Sequence, residues 1–164
     1  MNWYRLAQDT KRIYQIAFKV RQAILNTTDD DILKAQCLPA SRQLAHILIQ
    51  NGFAAAHVVR GTFTVDNPDM DAYSEWDWKD FLPSEPMDSE DEEREYAERA
   101  MEEATHYPLH YWVQISDIVV DITGDQFNDE LDGGGFPPVF VGQLSSEPRY
   151  TVHQEDYIQP RIMY

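Results

Sequence analysis

The stretch Leu109-His110-Tyr111-Trp112-Val113-Gln114-Ile115-Ser116-Asp117-Ile118-Val119-Val120-Asp121-Ile122 reads as two β-strands, 109–115 and 118–122, joined at Ser116-Asp117. Aromatic and β-branched residues dominate both runs, as a pleated, half-buried surface requires. If Ser116-Asp117 is a two-residue turn, Ile115 stands opposite Ile118 and Trp112 opposite Asp121. Side chains alternate across a sheet, so His110, Trp112 and Gln114 share a face with Val119 and Asp121. His110 and Asp121 are then diagonal neighbours, with Cα atoms about 7–8 Å apart, within reach of a carboxylate–imidazole hydrogen bond. Asp121 also interrupts an otherwise apolar strand, and a buried carboxylate needs a partner. Ser-Asp is not the favoured Asn-Gly turn, and a one-residue slip would place the two residues on opposite faces.

Upstream lie two helical patterns. Residues 2–26 carry Trp3, Leu6, Ile13, Ile16, Ala17, Val20 and Ile24 at helical spacing, with Lys and Arg between them. A polar break at Asn26-Thr27-Thr28-Asp29-Asp30-Asp31 follows. The second helix is expected from Cys37 to Gln50, with Pro39 in its first turn and Asn51-Gly52 as its stop. Ser41 is the alternative cap. Phe53 to Val65 turns strand-like, and Pro137 to Val141 reads as a short edge strand beyond Gly133-Gly134-Gly135.

Charge is distributed unevenly. The 164 residues carry a net charge of -16, yet residues 66–105 hold 16 Asp and Glu against 3 Lys and Arg, or -13. The acidity therefore belongs to an insert in a single domain spanning 1–164. The first part of the insert, with Trp76, Trp78 and Phe81, reads as an irregular loop with aromatic anchors. The second, from Ser89 to Thr105, reads as a charged helix opened by the capping box Ser89-Glu90-Asp91-Glu92. Such a charge repels phosphates, so direct nucleic-acid binding is not expected. Apolar residues make up 43% of the chain, enough for a folded core, but no run approaches the roughly 20 needed to cross a bilayer. The N-terminus lacks the layout of a secretory signal. With one cysteine there is no internal disulfide, and a cytoplasmic location is the simplest reading.

That cysteine, Cys37, opens the second helix, where the positive end of the helix dipole favours a thiolate. A nearby imidazole would lower its pKa further, as nucleophilic catalysis near neutral pH requires. The bland alternative is a buried small hydrophobe extending the stripe Ala40, Ser41, Leu44 and Leu48. His110 alone would likewise be an ordinary strand histidine. The combination with Asp121 carries the triad reading: Cys37 as nucleophile, His110 as base, Asp121 as orienting acid. His46, His57, His106 and His153 have no carboxylate placed on the same strand face. No close ligand pair of the Cys-x-x-Cys or His-x-x-x-His kind occurs, so neither a metal nor another cofactor is expected. Gln36 is a candidate to form an oxyanion site with the Cys37 N–H, the alternative being a solvated polar residue. Trp112 is expected to pack at the edge of the cleft.

From Cys37 to Phe127, a little over half of the chain, the sequence resembles the transglutaminase-like superfamily of cysteine enzymes, which share a papain-like Cys-His-Asp arrangement. The resemblance rests on a cysteine opening a helix and on the stretch Leu48-Ile49-Gln50-Asn51-Gly52-Phe53-Ala54-Ala55-Ala56-His57-Val58-Val59-Arg60-Gly61. It continues in the strand His110-Tyr111-Trp112-Val113 and in Asp121-Ile122-Thr123. Asp125-Gln126-Phe127 is similar to endings seen in small bacterial and phage members. Two positions depart from the pattern: Ala35 stands where a glycine two before the cysteine is usual, and Ile122 where a proline follows the aspartate. The resemblance implies an α+β fold with N-terminal helices packed on an antiparallel sheet. It also implies thiol-dependent acyl transfer or amide hydrolysis, by a protease, deamidase, amidase or crosslinking transglutaminase. The substrate would be a protein or peptide, basic if the insert lies by the cleft. The competing reading is a non-enzymatic acidic binding protein, whose insert engages a basic partner or imitates nucleic acid.

Overall fold

A computed structural model describes residues 3–29 and 31–158. Asn2 and Asp30, parts of the expected first helix and polar break, lie outside the described residues, as does the Trp3 side chain. The architecture is α+β. Helices α1 (Trp3–Leu25), α2 (Cys37–Gln50) and α3 (Glu90–His106) accompany a five-stranded antiparallel sheet. Its strands are β1 (His57–Phe63), β2 (Leu109–Ile115), β3 (Ile118–Asp121), β4 (Phe140–Gln143) and β5 (Tyr150–Ile158), in spatial order β4-β3-β2-β1-β5.

The two periodicities of the sequence become two cores. Ile13, Ala17 and Val20 of α1 and Ala40, Leu44, Ala45 and Leu48 of α2 meet Val58, Val113 and Val120 on one face of the sheet. Leu44 and Leu48 are fully buried, each contributing about 1.5–3 kcal/mol of transfer free energy. The opposite face gathers Val59, Phe63, Trp112 and Val119 under Phe127, Leu131, Phe136 and Tyr150. α2 ends as Asn51-Gly52 predicts. Gly52 takes φ +96°, its N–H bonds Ile49 O, and the Phe53 N–H reaches back to Leu48 O, the Schellman pattern.

The β2–β3 register is the one the turn implies: Ile115 pairs with Ile118, Gln114 with Val119 and Val113 with Val120. Ser116 adopts φ +55°, the left-handed region that serine visits at a cost. Tertiary contacts hold the turn in place of a favourable sequence. Gln114 Nε2 donates to Ser116 O at 2.9 Å, and Leu144 N donates to Asp117 O at 2.8 Å. The edge strand falls at 140–143 rather than 137–141, because Val139 turns into the core and the ladder with β3 begins at Phe140. β1 begins at His57, four residues later than its composition suggests, because Ala56 N–H closes a turn onto Phe53 O. β5 has no counterpart in the sequence reading.

Both ends of the acidic insert meet. Val65 N–H donates to His106 O and Phe63 N–H to Pro108 O, so the chain leaves β1 and re-enters β2 at one place. Ser89 caps α3 by accepting from Glu92 N at 3.2 Å. The loop aromatics pack on each other and on this helix: Trp76 meets Tyr73 edge-on and Phe81 at a tilt, and Arg94 lies over Trp78. Closing a loop at such adjacent anchors costs little extra entropy, about 0.6 kcal/mol per doubling of length. Replacing residues 84–104 by a short Gly-Ser linker should therefore leave a folded protein with a reactive Cys37, read by circular dichroism and thiol labelling. Loss of folding would make the insert part of the core.

Candidate active site

The site forms where β2 and β3 part company. Their ladder runs to Val113–Val120, and the next residues along it are Trp112 and Asp121, with His110 one step diagonal. His110 Nε2 donates to Asp121 Oδ2 at 2.7 Å, with both side chains shut off from solvent. The start of α2 docks against the same strand: Ser41 Oγ donates to Tyr111 O at 3.2 Å, and the Tyr111 N–H helps to lower the pKa of the Cys37 thiol. Cys37 is half-buried at the helix N-terminus. The tertiary structure thus brings Cys37, His110 and Asp121 together although 84 positions separate the first from the last.

With Nε2 committed to Asp121, the imidazole leaves Nδ1 for the thiol. Nδ1 is buried and makes no hydrogen bond of standard geometry among the described residues. Cys37 and His110 are nevertheless close enough to shift each other's protons. A long, imperfectly aligned thiol–imidazole contact is common before substrate binds. Burial disfavours the charged form at all three members, and the charges of their neighbours oppose it. Burial pushes the Cys37 thiol up, but the neighbouring polar imidazole of His110, its charge and the Tyr111 N–H bring it below the ordinary range. Burial likewise depresses His110, yet the Asp121 carboxylate, and after it Cys37, raise it to about 9. Asp121 is lowered: burial works against its charge, but His110, the Thr123 N–H and the Tyr150 hydroxyl outweigh it. All three shifts run in the direction of a thiolate–imidazolium pair backed by a carboxylate.

Asp121 is fully satisfied. Oδ1 accepts from Thr123 N at 2.8 Å and Thr123 Oγ1 at 3.1 Å, while Oδ2 accepts from Tyr150 Oη at 2.8 Å besides His110. Phe63, Phe127, Trp112 and Tyr150 box the imidazole, with centroid distances of 5.7, 5.1, 6.0 and 6.4 Å. Trp112 departs from expectation here. It is wholly buried beside the imidazole, its Nε1 bonded to Gln114 Oε1 at 3.3 Å, rather than at an open cleft edge. The reason is that Phe127, Leu131, Phe136 and Tyr150 gather on this face and shut it from solvent. Gln36 is exposed and its side chain makes no capping hydrogen bond. The N–H groups of Cys37 and Leu38 stand at the open end of α2 without intrahelical acceptors, and Pro39 supplies no N–H.

Other supporting residues escaped the sequence reading. Gln126 ties the approach to the thiol to the loop after Asp121: its Oε1 accepts from Ala35 N at 3.2 Å and its Nε2 donates to Thr123 O at 2.9 Å. Arg21, placed by its spacing among the polar residues of α1, is 3% exposed. It grips Asp125 through two bonds of 2.8 Å and donates to Ile122 O. Asp125 is nonetheless pushed up by burial, against the pull of Arg21. Only Asp125-Gln126-Phe127, quoted above for its resemblance, hinted at this loop. Ala35 has φ +56°, so the backbone before Cys37 is shaped as a glycine would allow. Ala35→Gly should therefore raise stability by about 0.5–1 kcal/mol without slowing thiol labelling. A lowered urea midpoint would count against this strain.

No family model matches the chain, and comparison with curated proteins and with solved structures found no similar protein.

Proposed function

We propose that this protein is a cysteine-dependent acyltransferase or amide hydrolase of transglutaminase-like or papain-like type, acting through Cys37, His110 and Asp121. The observation that carries this reading is the buried 2.7 Å His110–Asp121 bond aligned behind a thiol whose pKa is lowered. A structural cysteine has no use for such a pair. In the first step the Cys37 thiolate attacks a substrate carbonyl carbon and forms the C–S bond. The oxyanion is received by the N–H groups at the start of α2. The C–N bond then breaks as His110 gives its proton to the leaving amine, leaving a thioester. Water or a second amine adds to that thioester while His110 accepts its proton, and expulsion of the thiolate completes the cycle.

The family resemblance in the sequence supports the reading, as does the left-handed backbone at Ala35, the position where the pattern carries glycine. The insert's net charge of -13 favours basic protein or peptide substrates. A single cysteine suits a reducing compartment, and among the described residues no helix is long and apolar enough to cross a membrane. The test is an acyl-donating activity probe followed by mass spectrometry of the intact chain. The reading requires a covalent adduct on Cys37 that is lost in His110→Ala. Labelling that ignores His110, or needs prior unfolding, would overturn it.

A further inference from the structure

Tyr150 begins β5, 29 positions beyond Asp121, and is 5% exposed. Its hydroxyl donates at 2.8 Å to Asp121 Oδ2, the oxygen that His110 Nε2 occupies at 2.7 Å. Its ring is fixed from several sides, by Trp112 at 5.0 Å, Phe63 at 5.3 Å and Phe140 at 5.6 Å. Pairing of Phe63 with Tyr150 across β1 and β5 sets its height along the sheet. With Thr123 holding Oδ1, the Asp121 carboxylate is clamped at both oxygens and cannot rotate.

The geometry points to Tyr150 as a positioning residue of the site, which holds the Asp121 carboxylate against the imidazole and shares the charge of Oδ2 with it. This role rests on the proposed thiol chemistry. An Asp121 that served His110 alone would stabilise the imidazolium too strongly for efficient release of the Nδ1 proton to a leaving amine. A second donor on the same oxygen weakens that hold. The bond from Tyr150 is strongest when His110 is neutral and Asp121 carries the only local charge, so it stabilises the deprotonated imidazole. Burial, and then the Asp121 charge, push the Tyr150 phenol well above its usual range, so it stays a donor throughout the working pH range.

The test is Tyr150→Phe, which keeps the ring and its packing and removes only the hydroxyl. The readouts are the pH profile of Cys37 alkylation and the His110 ring resonances, neither of which needs a substrate. The imidazolium limb should move up by roughly half to one pH unit, and thioester formation with an acyl probe should slow by about tenfold. In an Asp121→Asn background the same substitution should produce no shift. Should Tyr150→Phe not fold, difluorotyrosine placed at position 150 alone keeps the packing and strengthens the donor, and the limb should move down. Identical profiles for wild type and variant, or a shift that persists without Asp121, would overturn the role of Tyr150. A wild-type Cys37 that titrates as an ordinary thiol would instead overturn the proposed function.

Discussion

Iodoacetamide should alkylate Cys37 at pH 6 several-fold faster than a small-molecule thiol under the same conditions. A thiol of ordinary pKa, about 8.5, is less than about 1% thiolate at pH 6, and its rate falls tenfold per unit below that. Cys37 lies below the ordinary range because His110 stays protonated to about 9. The sign follows from these two directions. Descending from pH 9, the imidazolium is present and the thiolate survives, so the rate should run flat until the lowered Cys37 pKa is crossed. Ascending through about 9, His110 loses its proton and the thiolate persists unpaired. Part of the gain is offset because a less basic thiolate is a weaker nucleophile, so the rate gain stays below the ratio of thiolate fractions. His110→Ala should leave burial unopposed by the imidazole and move the profile to that of a simple thiol or to higher pH. A wild-type rate that tracks the model thiol at each pH would end the triad reading.

Gly61→Ala should be the most damaging single methyl addition in the sheet. Gly61 lies at the irregularity between β1 and β5, and a Cβ built there would run into the Thr151 carbonyl oxygen and the Trp112 ring. The first is main chain and the second is fully buried, so neither can yield without moving β5 or the aromatic box. Overpacking of this kind costs about 3 kcal/mol, near the upper end for well-packed cores. In a domain of this size that lowers Tm by roughly 6–12 °C. Because Trp112 packs on both His110 and Tyr150, the surviving folded protein should also label more slowly at Cys37. Thermal unfolding and labelling of one preparation check both, and an unchanged Tm would mean that β1 and β5 do not approach as described.

Much of the architecture was legible in one dimension. Apolar spacing marked α1 and α2, and alternation marked β2 and β3. Asn51-Gly52 marked a helix end, because few residues besides glycine take the left-handed turn at low cost. The pairing of His110 with Asp121 follows from strand alternation given a two-residue turn at Ser116-Asp117, since a one-residue slip would move one of them to the other face. β5 was not legible. Its opening run, Tyr150-Thr151-Val152-His153, is short, and its pairing partner β1 lies far upstream.

What the sequence by itself determined is therefore local: which segments form helices and strands, and which face of the hairpin carries His110 and Asp121. That information sits within a few residues and is written in periodicity and turn chemistry. Only the tertiary structure decided that the N-terminus of α2 docks where β2 and β3 diverge and sets the thiol on the imidazole. It alone decided that Tyr150 completes the carboxylate's shell, that Gln126 ties the two halves together, and that Arg21 is buried against Asp125. Each of these contacts is made by a polar side chain whose partner is distant in sequence. A polar residue in a one-dimensional pattern looks the same whether it faces water or a buried charge, and only packing distinguishes the two.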